Sequence, residues 1–354
     1  MKKLISISCI ALLGAVLTIS CNKERHIQSV PHAQEEEAIL YVSLSGIDTD
    51  ISTRASTTAE HSGDKTAATT QILIYDSDGN YIKSMDAAGS VTLSKGLDYV
   101  VVANINGPDF RGASLSTVFS YSFSLASYPW VMTAVSSANL TSSSSASVTL
   151  SVRSLASRIH LCNITNSLPP ALGDIVIKKV FLCNAMGACD ISGTPSATWL
   201  NPYGRKILTE TVTPHSLTGS VDNTVNGAAY TFKSFDDDVV NNSGPSFEAD
   251  AWFYAYPNER YNVIPDGLAS STSWSPQATW LTVCGTVAGT VYYWTANLGA
   301  SLQDGLQSNK TYDVSINIKN LGTGDPATPT EPGTAGLSVS ITPWQAGSDI
   351  SETI

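Results

Sequence analysis

The run Gln71-Ile-Leu-Ile-Tyr-Asp-Ser-Asp-Gly-Asn-Tyr-Ile-Lys83 is a β-hairpin written in sequence. Residues 71–75 and 81–83 carry β-branched and aromatic side chains, and they flank Asp78-Gly79, where glycine accepts the positive φ that a tight hairpin turn requires. The same pattern recurs on either side. Residues 91–93, 98–104, 148–152 and 158–164 form one series of short alternating runs bounded by Gly, Asn, Asp and Ser. After Pro169-Pro170 a second series follows at 175–183, 230–235, 251–256, 279–284, 290–296 and 311–319. Beyond the first twenty residues no long segment has a helical period, so the pattern predicts an all-β chain. The spacing predicts two tandem antiparallel β-sandwiches, one over 55–168 and one over 169–319, with the boundary in 166–173.

Length and composition agree with this. The chain has 354 residues, enough for about two domains of about 150 residues each. Charged residues make up 14% of the chain, below the roughly 25% of an average soluble domain, and Ser and Thr fill polar positions instead. The formal charge of −11 is carried without any concentrated basic patch, which argues against nucleic acid as a partner and against polybasic membrane contact.

The N-terminal 54 residues have their own order. Lys2 and Lys3 precede a stretch, 4–19, that is apolar apart from Ser6, Ser8 and Thr18, too short for a stable membrane span and shaped like a signal peptide over 1–20. Cys21 follows Leu17-Thr18-Ile19-Ser20, an arrangement similar to the lipobox of bacterial lipoproteins, with Thr18 at the position where leucine is usual. One alternating strand, 38–46, comes next, with Leu40, Val42 and Leu44 on one face. It is followed by 48–70, a run of Thr, Ser, Ala, Asp and Gly that contains Arg54-Ala55 and offers a protease an accessible backbone. Residues 21–54 thus read as a propeptide carrying a removable first strand.

The C-terminal end mirrors it. Residues 320–336 hold Pro326, Pro329 and Pro332 among Gly and Thr, a composition suited to a tether that could span on the order of 50 Å at about 3.3 Å per residue. The segment 337–342 then alternates strictly, with Leu337, Val339 and Ile341 on one face. Its apolar pattern nearly repeats that of Leu40, Val42 and Leu44. A slot vacated by the first strand would present backbone donors, acceptors and an apolar groove, and the C-terminal strand of a neighbour has the side chains to refill it. The same pattern also fits two ordinary terminal strands of one molecule.

Chemistry-bearing motifs are sparse. Asp76-Ser77-Asp78-Gly79-Asn80 looks like the start of a calcium loop, but position 87 is Ala where the loop needs Glu, and a hairpin turn is the better reading. The Asp236-Asp237-Asp238 run reads as a solvated acidic turn. His160 lies in an apolar strand and His215 after Pro214, and neither has a recognisable nucleophile setting. Catalytic elbows, zinc-protease pairs and phosphate-binding Gly loops are missing, so we expect neither enzyme, cofactor nor metal. Cys162, Cys183, Cys189 and Cys284 remain after the leader and the lipidation cysteine; they allow three pairings, including Cys183 to Cys189 across a hairpin, or they are small apolar core residues. Trp252, Trp280 and Trp294 with Tyr254, Tyr256, Tyr292 and Tyr293 could stack on sugars if exposed, which makes a glycan-binding surface lipoprotein the alternative function; alternating strands favour core packing.

Taken together, the leader ending at Cys21, the strand 38–46 followed by Ser52-Thr53-Arg54-Ala55-Ser56, and Tyr99-Val100-Val101-Val102-Ala103-Asn104 resemble the fimbrillin superfamily, the type V pilins of Bacteroidales. The segment 148–164, with Arg153 and Arg158 around Leu155-Ala156-Ser157, and the close from Asn309-Lys310-Thr311-Tyr312 to Pro343-Trp344 add to the likeness. The resemblance implies two transthyretin-like β-sandwiches and export as an outer-membrane lipoprotein precursor. It also implies cleavage by an arginine-specific surface protease, followed by donor-strand exchange into fimbriae that support adhesion. By that resemblance Cys21 is the lipid site, Arg54-Ala55 the processing point, and Leu40, Val42 and Leu44 the displaced strand. Leu337, Val339 and Ile341, at the end of the tether and donor segment 320–354, are then the donated strand. The implied partners are other copies of the chain, other fimbrial subunits and, through a transient lipid anchor, the outer membrane. A processable Arg54 argues against an anchor subunit and a donated strand argues against a tip subunit, which leaves a stalk position.

Overall fold

A computed structural model describes residues 36–46, 67–128, 130–196, 199–200, 231–258, 279–298, 305–324 and 335–343. Strand β1 (Glu37–Ser45) comes first, and β2 (Thr70–Asp76) and β3 (Tyr81–Met85) form the hairpin read from sequence. Its turn closes on itself. The Asp76 carboxylate accepts the N–H groups of Asp78 at 3.0 Å and Asn80 at 2.8 Å, and Gly79 takes φ +81°. Hydrogen bonding to Asn80, side chain first and then backbone, holds the Asp76 carboxyl below its ordinary value. The carboxylate that looked like a calcium ligand is thus occupied by the turn.

Strands β4 (Gly89–Ser94), β5 (Asp98–Ile105), β6 (Met132–Asn139) and β7 (Ser145–Ser151) complete the first sandwich. One layer has three strands in the order β4-β1-β7, and the other runs β3-β2-β5-β6 with the short strand Arg153–Ser154 at its edge. Alternation fixes the faces. Leu40, Val42, Val91, Leu93, Val148 and Leu150 from the first layer meet Ile72, Ile74, Val101 and Ala103 from the second. Strand β2 is buried along five consecutive positions, because Leu73 and Tyr75 turn away from this core into a second one. A six-residue helix, Leu115–Ser120, is capped by Ser114, whose side chain accepts the Thr117 N–H.

The second sandwich contains β8 (Ser157–Asn166), β9 (Ile175–Cys183), β10 (Phe232–Val240) and β11 (Phe247–Ala255). It is completed by β12 (Trp280–Val287), β13 (Thr290–Asn297), β14 (Lys310–Ile318) and β15 (Ala335–Pro343). Its layers run β11-β8-β14-β15 and β10-β9-β12-β13. Ile159, Leu161, Val180, Phe253, Val283, Trp294 and Val314 are buried together, and the same apolar region continues through Phe123, Leu125 and Val131 of the first half. Polar contacts also cross: the Tyr256 hydroxyl donates to the Tyr128 carbonyl at 2.9 Å and Thr133 Oγ1 donates to Ile191 O at 2.8 Å. Close backbone approach is built in at Gly285, where an added Cβ would lie 2.6 Å from the Val176 carbonyl oxygen.

Four sequence expectations need correction. Strand β8, assigned by sequence to the first sandwich, pairs with β11 and β14, so the changeover between sandwiches falls at 152–157 instead of 166–173. Alternation identifies which face of a strand is apolar but not which sheet receives it. The sheets are also not wholly antiparallel, since β1 pairs with β7 and β8 with β14 in parallel. The tether is shorter than composition suggests: Thr323 exchanges backbone hydrogen bonds with Tyr293 at 2.8 and 3.0 Å, and β15 begins at Ala335. The prolines all lie in 325–334, whereas 320–323 have N–H groups free to pair. Finally β6 was missed, because its Ser136, Ser137 and Asn139 are weak strand formers that β5 recruits across eight register pairs.

Candidate functional site

Strand β1 occupies the middle of its layer. On one side it pairs antiparallel with β4, from Glu37 opposite Ser94 to Val42 opposite Gly89. On the other it pairs in parallel with β7, from Ile39 opposite Ser145 to Ser45 opposite Ser151. The backbone is bonded to its ends, with Ile39 N donating to Ser144 O at 2.9 Å and Val152 N to Ser45 O at 2.8 Å. Ala38, Leu40 and Val42 are buried inward, Leu44 is half-buried against the same core, and Ile39 and Tyr41 face solvent at 39% and 49% exposure. A shallow groove lined by Tyr41, Val42, Ser43, Gly89, Ser90 and Ser147 runs beside it.

Removing a middle strand has a specific consequence. β4 and β7 have no pairing with each other, so without β1 both would expose a ladder edge above an apolar floor. At about 1.5 to 3 kcal/mol for each large apolar side chain, Leu40 and Val42 alone contribute roughly 3 to 6 kcal/mol to holding β1 in place.

Strand β15 has the opposite situation. Among the described residues it is a sheet edge, paired along its length with β14 alone, from Lys310 opposite Pro343 to Ile318 opposite Ala335, with Val339 opposite Val314. β1 and β15 are each nine residues long. They lie in different sandwiches, so the structure does not bring Leu40, Val42 and Leu44 together with Leu337, Val339 and Ile341 in one molecule; β15 is seated in cis on its own sheet. Cys21, Arg54 and Ala55 lie outside the described residues, as does His215.

The remaining sequence candidates resolve on burial. Trp294, Tyr254 and Tyr256 are fully buried, Trp280 and Tyr293 nearly so, and Tyr292 packs half-buried against them, so these aromatics form core rather than an exposed stacking platform; Trp252 is half-buried outside the core, with one face stacked on His160. The four cysteines are free thiols; Cys183, Cys189 and Cys284 are buried and Cys162 half-exposed. Burial pushes the Cys183 thiol up to about 12. Asp236, Asp237 and Asp238 lie within β10, where Asp237 takes φ +62° beside the register shift and pairs with Lys178.

No protein-family model and no curated protein matches the chain. Solved structures do. A candidate cell adhesion protein from Bacteroides eggerthii matches with TM-score 0.56 at 15% identity, covering 87% of this chain and 96% of that one. A second, from Parabacteroides distasonis, has TM-score 0.55 at 16% identity over 88% of this chain and 100% of that one. A fimbrilin from Porphyromonas gingivalis has TM-score 0.51 at 17% identity over 88% of this chain and 98% of that one. The chain has the fimbrillin fold. Within that fold, the strand expected to leave is a middle strand, and the strand expected to be donated is an edge.

Proposed function

We propose that this chain is a structural pilin subunit of a surface fimbrium, occupying a stalk position and joined to its neighbours by strand exchange. It is exported and lipidated on Cys21. An arginine-specific surface protease then cuts after Arg54, leaving Ala55 as the new N-terminus and β1 held only by non-covalent contacts. β1 leaves, and β15 of another copy, swung out on 325–334, takes its place.

The observation that carries this reading is the asymmetry between the two strands. β1 is a nine-residue strand paired on both sides, and β15 is a nine-residue strand that, among the described residues, pairs along its length with β14 alone. Moving β15 from its own edge into a neighbour's vacated slot exchanges one ladder for two and covers the apolar floor, which offsets the cost of ordering the joint. Because slot and strand belong to different sandwiches, the contact is head-to-tail and generates an open filament. The fold neighbours described as adhesion and fimbrial proteins support the same placement at the cell surface. The buried aromatics of the second sandwich speak against a glycan-binding role.

The test is the N-terminal residue of the protein on intact cells, together with Arg54→Ala. Ala55 at the N-terminus, and a variant that is exported and folded but forms no SDS-resistant ladder, are expected. A uniformly lipidated Cys21 on assembled fibres, or ladders from the variant, would refute the processing step.

A further inference from the structure

We propose that His160, Cys162 and Asp313 form a site for one zinc-class divalent cation on the outer face of the second sandwich. This is independent of the strand-exchange reading. His160 and Cys162 sit two residues apart on β8, and Asp313 is the direct partner of His160 on the parallel strand β14. The register of β8 shifts between Leu161 and Asn163 against both neighbours, and Leu161 and Ile164 still both face the core. This bulge takes up one residue and leaves Cys162 on the same outer side as His160.

The donors converge. His160 Nδ1 lies 3.0 Å from Asp313 Oδ1 and 3.3 Å from Cys162 Sγ, and Sγ lies 4.0 Å from that carboxylate oxygen. A tetrahedral zinc with bonds of about 2.0 to 2.3 Å needs donors separated by about 3.3 to 3.6 Å, and the observed triangle straddles that range. One thiolate, one imidazole and one carboxylate suit zinc, which accepts mixed S, N and O ligands, better than calcium or magnesium, which take oxygen.

The surroundings fit a held ligand. His160 is 7% exposed at its side chain and stacked on Trp252 at 3.9 Å between centroids and 3° between planes. The Arg158 guanidinium also lies over the Trp252 ring, 4.9 Å from its centroid. The far nitrogen, His160 Nε2, is 3.0 Å from Asp250 Oδ1, which also accepts the Trp252 indole N–H at 3.3 Å. A carboxylate behind a ligating histidine is the arrangement that orients the ring and fixes its tautomer in metal sites. A neutral imidazole has a donor on one nitrogen only, yet carboxylate oxygens face both. A cation at Nδ1, with the proton on Nε2 directed to Asp250, satisfies both contacts. Asp313 at 35% and the half-exposed Cys162 leave the fourth coordination position open to water.

The experiment titrates cobalt(II) and then zinc into the untagged, exported full chain. Cobalt is expected to bind one per chain with a thiolate-to-metal charge-transfer band, and zinc to displace it. Cys162→Ser, at a half-exposed position that should not disturb folding, is expected to lose the band, while the buried Cys183, Cys189 and Cys284 remain. Asp250→Asn is expected to weaken affinity by about 10- to 100-fold while keeping the band. Absence of stoichiometric binding, or a band that survives Cys162→Ser, would overturn the site. So would two ring N–H signals on His160 in the presence of excess zinc, which would show an imidazolium between two carboxylates instead.

Discussion

Replacing Leu40 by Ala should speed the loss of β1 after cleavage by about two orders of magnitude. Leu40 is fully buried at the centre of β1, opposite Val91 on β4 and Ala146 on β7, over the floor formed by Ile72 and Ile74. Truncating such a leucine costs about 2 to 5 kcal/mol, depending on how far the site collapses. In the uncut chain that cost appears as lower thermal stability. After cleavage at Arg54 the strand is a bound peptide, and about 3 kcal/mol becomes roughly a 100-fold weaker hold at tenfold per 1.4 kcal/mol. Tyr41→Ala is the control: the adjacent residue is 49% exposed on the outer face and should change retention by less than about 0.5 kcal/mol. The assay cuts the purified chain with an arginine-specific protease, adds excess peptide 335–354, and follows release of the N-terminal fragment by mass spectrometry. Equal release times for wild type and Leu40→Ala, or a Tyr41→Ala effect as large as that of Leu40→Ala, would refute β1 as the displaced strand.

Deleting 335–354 should leave a monomer that melts cooperatively, a few degrees lower, yet fails to join others by gel filtration after cleavage, since β15 is an edge strand. Gly285→Ala should destabilise by about 1 to 3 kcal/mol in a denaturant melt, because the new Cβ meets the Val176 carbonyl oxygen and not a movable side chain. Tyr75→Phe should leave the melting temperature unchanged or raise it, as the Tyr75 hydroxyl is buried without a hydrogen-bond partner among the described residues. Stability should fall as pH rises above 9: burial raises the Cys183 thiol from its ordinary 9.0 to about 12 and the Tyr75 hydroxyl from 10.0 to about 12. The unfolded chain therefore loses these protons first, stability is full below pH 9 and declines through pH 12, and a flat alkaline melting profile would refute this.

Much of the architecture was legible because β-structure is written in alternation and turn chemistry, both local. The hairpin at 71–83, the inward set Leu40 and Val42, and strand β9 with its exact bounds all follow from residues acting on their neighbours. Local pattern also singled out the two terminal strands as near copies of one another. What it could not supply was pairing. Whether β1 lies at an edge or in the middle, and whether β8 joins the first or second sandwich, depends on partners about 50 to 150 residues away, and period two is the same in every case. The His160, Cys162 and Asp313 cluster was invisible for the same reason. Alternation alone puts His160 and Cys162 on one face, but Asp313 comes from a strand some 150 residues away, brought into direct register by a parallel pairing that leaves no spacing motif in the sequence. Sequence determined which faces are apolar and which segments extend; only the tertiary structure decided which strand is surrounded, which is exposed along one edge, and which side chains meet.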